Sequence, residues 1–276
     1  MALKPGCEKL EVVVANHVER KKDFKMYRLL TAVFAMCAGS FPCSATTVLV
    51  LLTHDAVLIG ADGMRVDVSA SNKRHGQICK VRNVGDCYYA AAGIASIQHL
   101  NFNIYASAQL ACRQPGTLAD KAASFQRAVY PSLTKIFAQK SRFPIIKQQN
   151  VAVVFAGIEA GEPTIAVTNF WQDGTGVLQQ RRGLLRGRDA SAQPTLLTLG
   201  IVEAIQRNKL SHPQQFAAGY EFVEIERLLQ TEIQNDQKKL FDEQLVGPPI
   251  VLLKISKKGA QWIRSGACPA SNTSRP

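Results

Sequence analysis

Residues 46–62, TTVLVLLTHDAVLIGAD, hold two runs rich in Val, Leu and Ile on either side of the polar triplet Thr53-His54-Asp55. Apolar strand-forming runs broken by such a triplet dictate a β-hairpin. With the turn centred on His54, Thr46 and Asp62 lie eight residues to either side of it. Antiparallel pairing then sets the first residue of one strand beside the last of the other, within side-chain reach.

The rest of the chain repeats this alternation of strand and helix signals. A polar stretch, DVSASNKRHG, reads as a connection. It leads to a second hairpin, QICKVRNVGDCYYAAAG, with its turn near Asn83 to Asp86, Lys80 on the outgoing strand and Gly93 at the far end of the returning one. Helical stretches follow over about 94–113 and 117–141, separated by Pro115-Gly116, a breaker pair. NVAVVFAGIE, PTIAVTNFW, GVLQQRR and PTLLTLG read as strands of a second sheet. A short helix near 201–208 and a long amphipathic one from about Pro213 to Glu243 precede two last strands, IVLLKIS and AQWIR, and a polar tail over 268–276. Strands, two helices, strands, two helices, strands: this order suits two stacked sheets with a helical layer on each side. The expected architecture is one α+β domain over 46–267.

Upstream of that domain, RLLTAVFAMCAGSFPCSA places Arg28 before an apolar run from Leu29 to Ala38, a Gly-Ser-Phe-Pro break and the small residues Cys43, Ser44 and Ala45. This is the three-part build of a secretory signal peptide, expected to be cleaved after Ala45. The apolar run is too short to span a bilayer, so no stable membrane anchor is expected after processing. Residues 1–25 read either as a long n-region or as an upstream extension before a start at Met26. The expected location is secreted or periplasmic.

Composition excludes some partners. Residues 46–276 carry 26 basic and 17 acidic side chains, a net +9. The basic residues are dispersed apart from Arg181, Arg182, Arg186 and Arg188, without the aromatic interleaving that nucleic acid would stack on; a solvated loop, or a contact for an anionic partner or acidic peptide, fits that cluster. Cys79, Cys87, Cys112 and Cys268 lack metal-ligand spacing, and no metal or cofactor is expected. In an oxidising compartment the four permit three pairings.

The chemistry concentrates at position 46. A threonine at a chain terminus can use its own α-amino group, which ordinarily titrates at about 7.7–8.0, to accept the hydroxyl proton. A nearby cation lowers that value, and the nucleophile brings its own base. Thr46-Thr47, the strand ending in Ala61-Asp62, Lys80-Val81 and Ala91-Ala92-Gly93 resemble bacterial proteasome β-type subunits, members of the N-terminal-nucleophile (Ntn) hydrolases. The resemblance runs through element order over 46–266 and implies a four-layer αββα sandwich. It implies Thr46 as nucleophile, Lys80 as the cation, Asp62 orienting Lys80, and the Gly93 N–H as oxyanion donor. It also implies Ala91 and Ala95 lining a substrate pocket, a peptide or protein substrate and a homo-oligomer. The family's Gly-Ser-Gly serine is unmatched at Thr198-Leu199-Gly200, and Glu243 stands where it has an aspartate. An amide-cleaving threonine hydrolase, a non-peptidase amidase of the same superfamily and an inactive assembly subunit are therefore the functions to distinguish.

Overall fold

The computed structural model describes residues 41–42, 46–68, 73–97, 100–138, 150–191, 193–200, 202, 205, 216, 219–239, 244–266 and 268. All of these belong to one unit, Gly39–Pro276. The expected signal peptide apart from Phe41 and Pro42, most of the helix expected near 201–208, the ends of the expected long helix and Glu243 lie outside the described residues.

Fifteen strands, three α-helices and a short 3-10 helix (Gly187–Ala190) are described: β1 (Phe41–Pro42), β2 (Thr47–Leu52), β3 (Ala56–Asp62), β4 (Met64–Val68), β5 (Lys73–Gln77), β6 (Val81–Val84), β7 (Cys87–Ala92), β8 (Ser96–Ile97) and β9 (Phe102–Asn103) come first. Helices α1 (Ile104–Arg113) and α2 (Leu118–Ala138) follow, then β10 (Val151–Glu159), β11 (Glu162–Gln172), β12 (Leu178–Arg186) and β13 (Thr195–Gly200). Helix α3 (Glu221–Asp236), β14 (Ile250–Ser256) and β15 (Gly259–Arg264) complete the chain. The fold is α+β with antiparallel pairing throughout two five-stranded sheets, ordered β13-β2-β3-β14-β15 and β12-β11-β10-β7-β6.

The strand sequences explain this arrangement. β2 and β3 are buried along their whole length, so each carries apolar side chains on both faces of the pleat. Val48, Val50 and Leu52 join Val57, Ile59 and Ala61 in a core that also holds Ala90, Ala92, Ala152 and Val154 from the other sheet. The alternate residues Leu49, Leu51 and Leu58 pack with Ile225, Leu228 and Leu229 of α3. On the second sheet Tyr89, Ala91, Val153 and Phe155 pack with Phe125, Val129 and Leu133 of α2. The Phe125 ring meets Phe155 and Phe170 edge-on at centroid distances of 5.8 and 6.4 Å, a favoured aromatic geometry. Each fully buried side chain of this kind contributes roughly 1.5–3 kcal/mol.

The structure corrects the expected elements at three places. The polar stretch 67–76 is not a plain connection, because β4 and β5 pair from Met64↔Gln77 to Val68↔Lys73; backbone pairing there needs no apolar face, which is why composition hid it. The first helix begins at Ile104 rather than near 94, since left-handed backbone at Gly93 and Asn101 breaks the chain and β8 and β9 occupy the gap. β13 leaves the second sheet and pairs with β2, setting Gly200 opposite Thr47.

Cys79 is joined to Cys268 and Cys87 to Cys112, which selects one of the three pairings. The first ties the buried Cys268 to the residue before Lys80. We predict that Cys79→Ser with Cys268→Ser lowers unfolding stability by about 2–5 kcal/mol, measured by urea denaturation. Peptide mapping without reductant should recover both linkages, and a Cys79–Cys87 peptide would contradict this topology.

Candidate active site

Asp62 closes β3 in a fully buried position and gathers donors from four segments of the chain. Lys80 Nζ donates to both carboxylate oxygens at 2.9 Å, and both side chains are 0% exposed. The Thr47 N–H donates to Oδ1 at 2.8 Å, while those of Met64 and Gly247 reach Oδ2 at 3.1 and 3.3 Å. Burial pushes Asp62 above the usual carboxylate range, opposed by the Lys80 charge. Burial likewise draws Lys80 below the usual lysine range, opposed by Asp62. Dehydration of this sort is tolerable only when a charge is paired and its lone pairs are satisfied.

The hairpin positions Thr46. β2 and β3 pair from Val48↔Ala61 to Leu52↔Val57, so the chain entering β2 arrives at the end of β3 where Asp62 sits. Thr46 is fully buried and its carbonyl is covered by Gly200. A Cβ on Gly200, at φ +84°, would stand 1.7 Å from the Thr46 oxygen and 3.1 Å from the Ala92 Cβ; only glycine fits this approach. Gly93, next after Ala92, is also left-handed at φ +97°, and a Cβ there would meet the Asn150 oxygen at 2.1 Å. Thr46, Gly200 and the end of β7 thus converge beside the ion pair.

Ala91 and Ala95 are both buried in the core under α2, and of the two only Ala95 lines a cavity. Ala91 is buried with Tyr89 in the core under α2, on the opposite face of β7 from Ala92. Ala95 lines a cavity of about 230 Å3 with Arg65, Ile78, Arg82, Ser96, Asn103 and Tyr105. Sequence reasoning missed the Met64 and Gly247 amides, which carry no side-chain signal. It also missed Asp236, whose Oδ2 accepts the Val246 N–H at 2.6 Å and so anchors the segment delivering Gly247. Among the described residues there is no group of three or more His, Cys, Asp or Glu able to hold a metal ion, and no helix long and apolar enough to cross a membrane.

No protein-family model matches the sequence, and no curated protein matches it. Among solved structures the chain is similar to Anbu (ancestral beta-subunit) from Yersinia bercovieri, with a TM-score of 0.47 and 10% identity over 79% of this chain and 86% of that one. It is similar also to Anbu from Hyphomicrobium sp. strain MC1, with a TM-score of 0.47 and 12% identity over 79% and 85%. These neighbours form a family distinct from the bacterial proteasome β-type subunits, so the assignment to that subunit family is withdrawn. The likeness to Anbu is itself loose.

Replacing Lys80 with methionine strands a buried carboxylate. The expected cost is about 3–5 kcal/mol of unfolding free energy, read by urea denaturation. A cost below about 1 kcal/mol would class the pair with solvent-screened surface bridges.

Proposed function

We propose that this protein is a threonine-type Ntn hydrolase that cleaves amide bonds, peptide bonds foremost, once residues 1–45 are removed. The observation that carries the proposal is the buried Asp62–Lys80 pair bonded to the Thr47 amide. It fixes a cation and its counter-ion beside the residue that cleavage would make N-terminal. In the uncleaved chain the Thr46 nitrogen is an amide and cannot serve as a base. After cleavage its amine takes the Oγ1 proton, with Lys80 lowering the amine's proton affinity. Oγ1 attacks the substrate carbonyl carbon, and the Gly93 N–H stabilises the developing oxyanion, a contact of about 3 kcal/mol. The amine passes the proton to the leaving nitrogen as the C–N bond breaks. Water, deprotonated by the same amine, then releases the acyl group from the Thr46 ester.

Other features support the proposal. The three cores under α2, between the sheets and under α3 are what a four-layer αββα sandwich requires. β1 pairs with β4 through Phe41↔Val68 and Pro42↔Asp67; loss of residues 1–45 would bare this edge of β4, to which an extended peptide could add as a strand. Two disulfides suit an oxidising compartment and hence export by the signal sequence, which would make signal-peptide removal and activation one event. Exposed Leu110, Tyr220 and Val223 suit a homo-oligomer.

Thr46→Ala is expected to abolish turnover of peptide reporters while leaving the circular dichroism spectrum unchanged. N-terminal sequencing of the exported protein should begin at Thr46. Unaltered turnover in Thr46→Ala, or a start at Thr47 or later in an active preparation, would refute the mechanism.

A further inference from the structure

The cavity holding Ala95 is built from neighbours of the proposed catalytic residues. Arg65 lies three residues after Asp62, Ile78 and Arg82 lie two residues either side of Lys80, and Ala95 lies two residues after Gly93. The Ile78 N–H donates to the Gly63 carbonyl at 2.9 Å, holding the end of β3, which carries Asp62, to the segment before β6, which carries Lys80. At about 230 Å3 the space suits one side chain rather than a whole ligand.

Among the described residues its lining is cationic and contains no carboxylate. Arg82 Nε donates to the Cys79 carbonyl at 3.3 Å, and the guanidinium lies 4.4 Å from the Tyr105 ring centroid, so its charge is held against the wall instead of swinging in solvent. Arg65 supplies a second guanidinium. Tyr105 is 4% exposed, and among the described residues its hydroxyl has no hydrogen-bond partner. A buried hydroxyl of this kind is costly unless a ligand satisfies it. Burial, opposed by Arg82 and reinforced by Asp62, raises the Tyr105 hydroxyl above the ordinary tyrosine range, which keeps it protonated as a donor and places it within electrostatic reach of the catalytic pair. Asn103 and Tyr105 also bring the N-terminal end of α1 to the wall, and its partial positive charge adds to that of the arginines.

We infer that this cavity receives a carboxylate-bearing side chain of the substrate, placed on the acyl side of the bond that Thr46 attacks. The inference rests on the hydrolase reading above and names its substrate class: acyl groups with a glutamate- or aspartate-like side chain. Arg65 and Arg82 pair with the carboxylate, Tyr105 donates to it, and the apolar stem lies along Ile78 and Ala95. A neutral amide in the same place would offer the two guanidiniums no charge to meet.

Binding tests this separately from catalysis. The purified protein carrying Thr46→Ala is titrated calorimetrically with acetylated tetrapeptide amides that differ only in a final Glu, Gln or Lys. The glutamate peptide is expected to bind about tenfold tighter than its glutamine counterpart, the scale of one charge-assisted hydrogen bond, and the lysine peptide more weakly than either. Arg65→Gln and Arg82→Gln should each bring the Glu to Gln ratio toward one. Equal affinity for Glu and Gln, or preference for Lys, overturns the inference whether or not the unsubstituted protein hydrolyses amides. The comparison on the intact cavity needs neither arginine variant to fold. Absence of turnover in the unsubstituted protein, with glutamate still preferred in binding, would overturn the hydrolase reading alone.

Discussion

The ion pair between Asp62 and Lys80 is the constraint on which the site depends. Two charges taken out of water survive only if their geometry and remaining hydrogen bonds are good. Here the requirement is met by backbone from the entry to β2, the exit of β3 and the approach to β14. A change in any of those segments is felt at the carboxylate. The pair therefore couples the placement of Thr46 to the integrity of the first sheet, and Asp236 at the end of α3 extends that coupling by holding the segment before Gly247.

The apolar strands supply the rigidity that such a pair needs. β2 and β3 expose nothing to solvent, so a slip of one residue would exchange the face packed on α3 for the face packed on the second sheet and misplace every side chain. The register that puts Val48 opposite Ala61 is thus held by two cores at once. Gly200 adds a steric limit, because its backbone lies against the Thr46 carbonyl at a distance no side chain would permit.

Neutralisation of Asp62 by Lys80 also bears on the neighbouring cavity. The closed pair leaves no bare carboxylate beside a cavity that Arg65 and Arg82 line. Lys80 and Arg82 come from one short stretch, Ile78 to Arg82, clamped near its start by the Cys79–Cys268 link.

Much of the fold was legible in the sequence because local rules act within single elements. The first hairpin, the turn at Gly85-Asp86, the 118–138 helix and the strands at 151–159 and 250–256 follow from periodicity and breakers. Counting either side of His54 set Thr46 opposite Asp62, but the register is one residue off, Val48 facing Ala61, so it is Thr47 whose N–H reaches the carboxylate. Which strands become neighbours did not follow, since β13 chooses β2, and β7 chooses β10, through burial of faces that no local signal ranks. The polar strands β4 and β5 were hidden because their pairing is written in backbone groups common to all residues. The sequence by itself marked Thr46, Asp62, Lys80 and Gly93 as the candidates for chemistry and the bond after Ala45 as the one whose cleavage is proposed to arm them. Only the tertiary structure decided that Asp62 would be dehydrated around Lys80 and that two arginines would share one cavity beside it, because burial and field are sums over segments far apart in the chain.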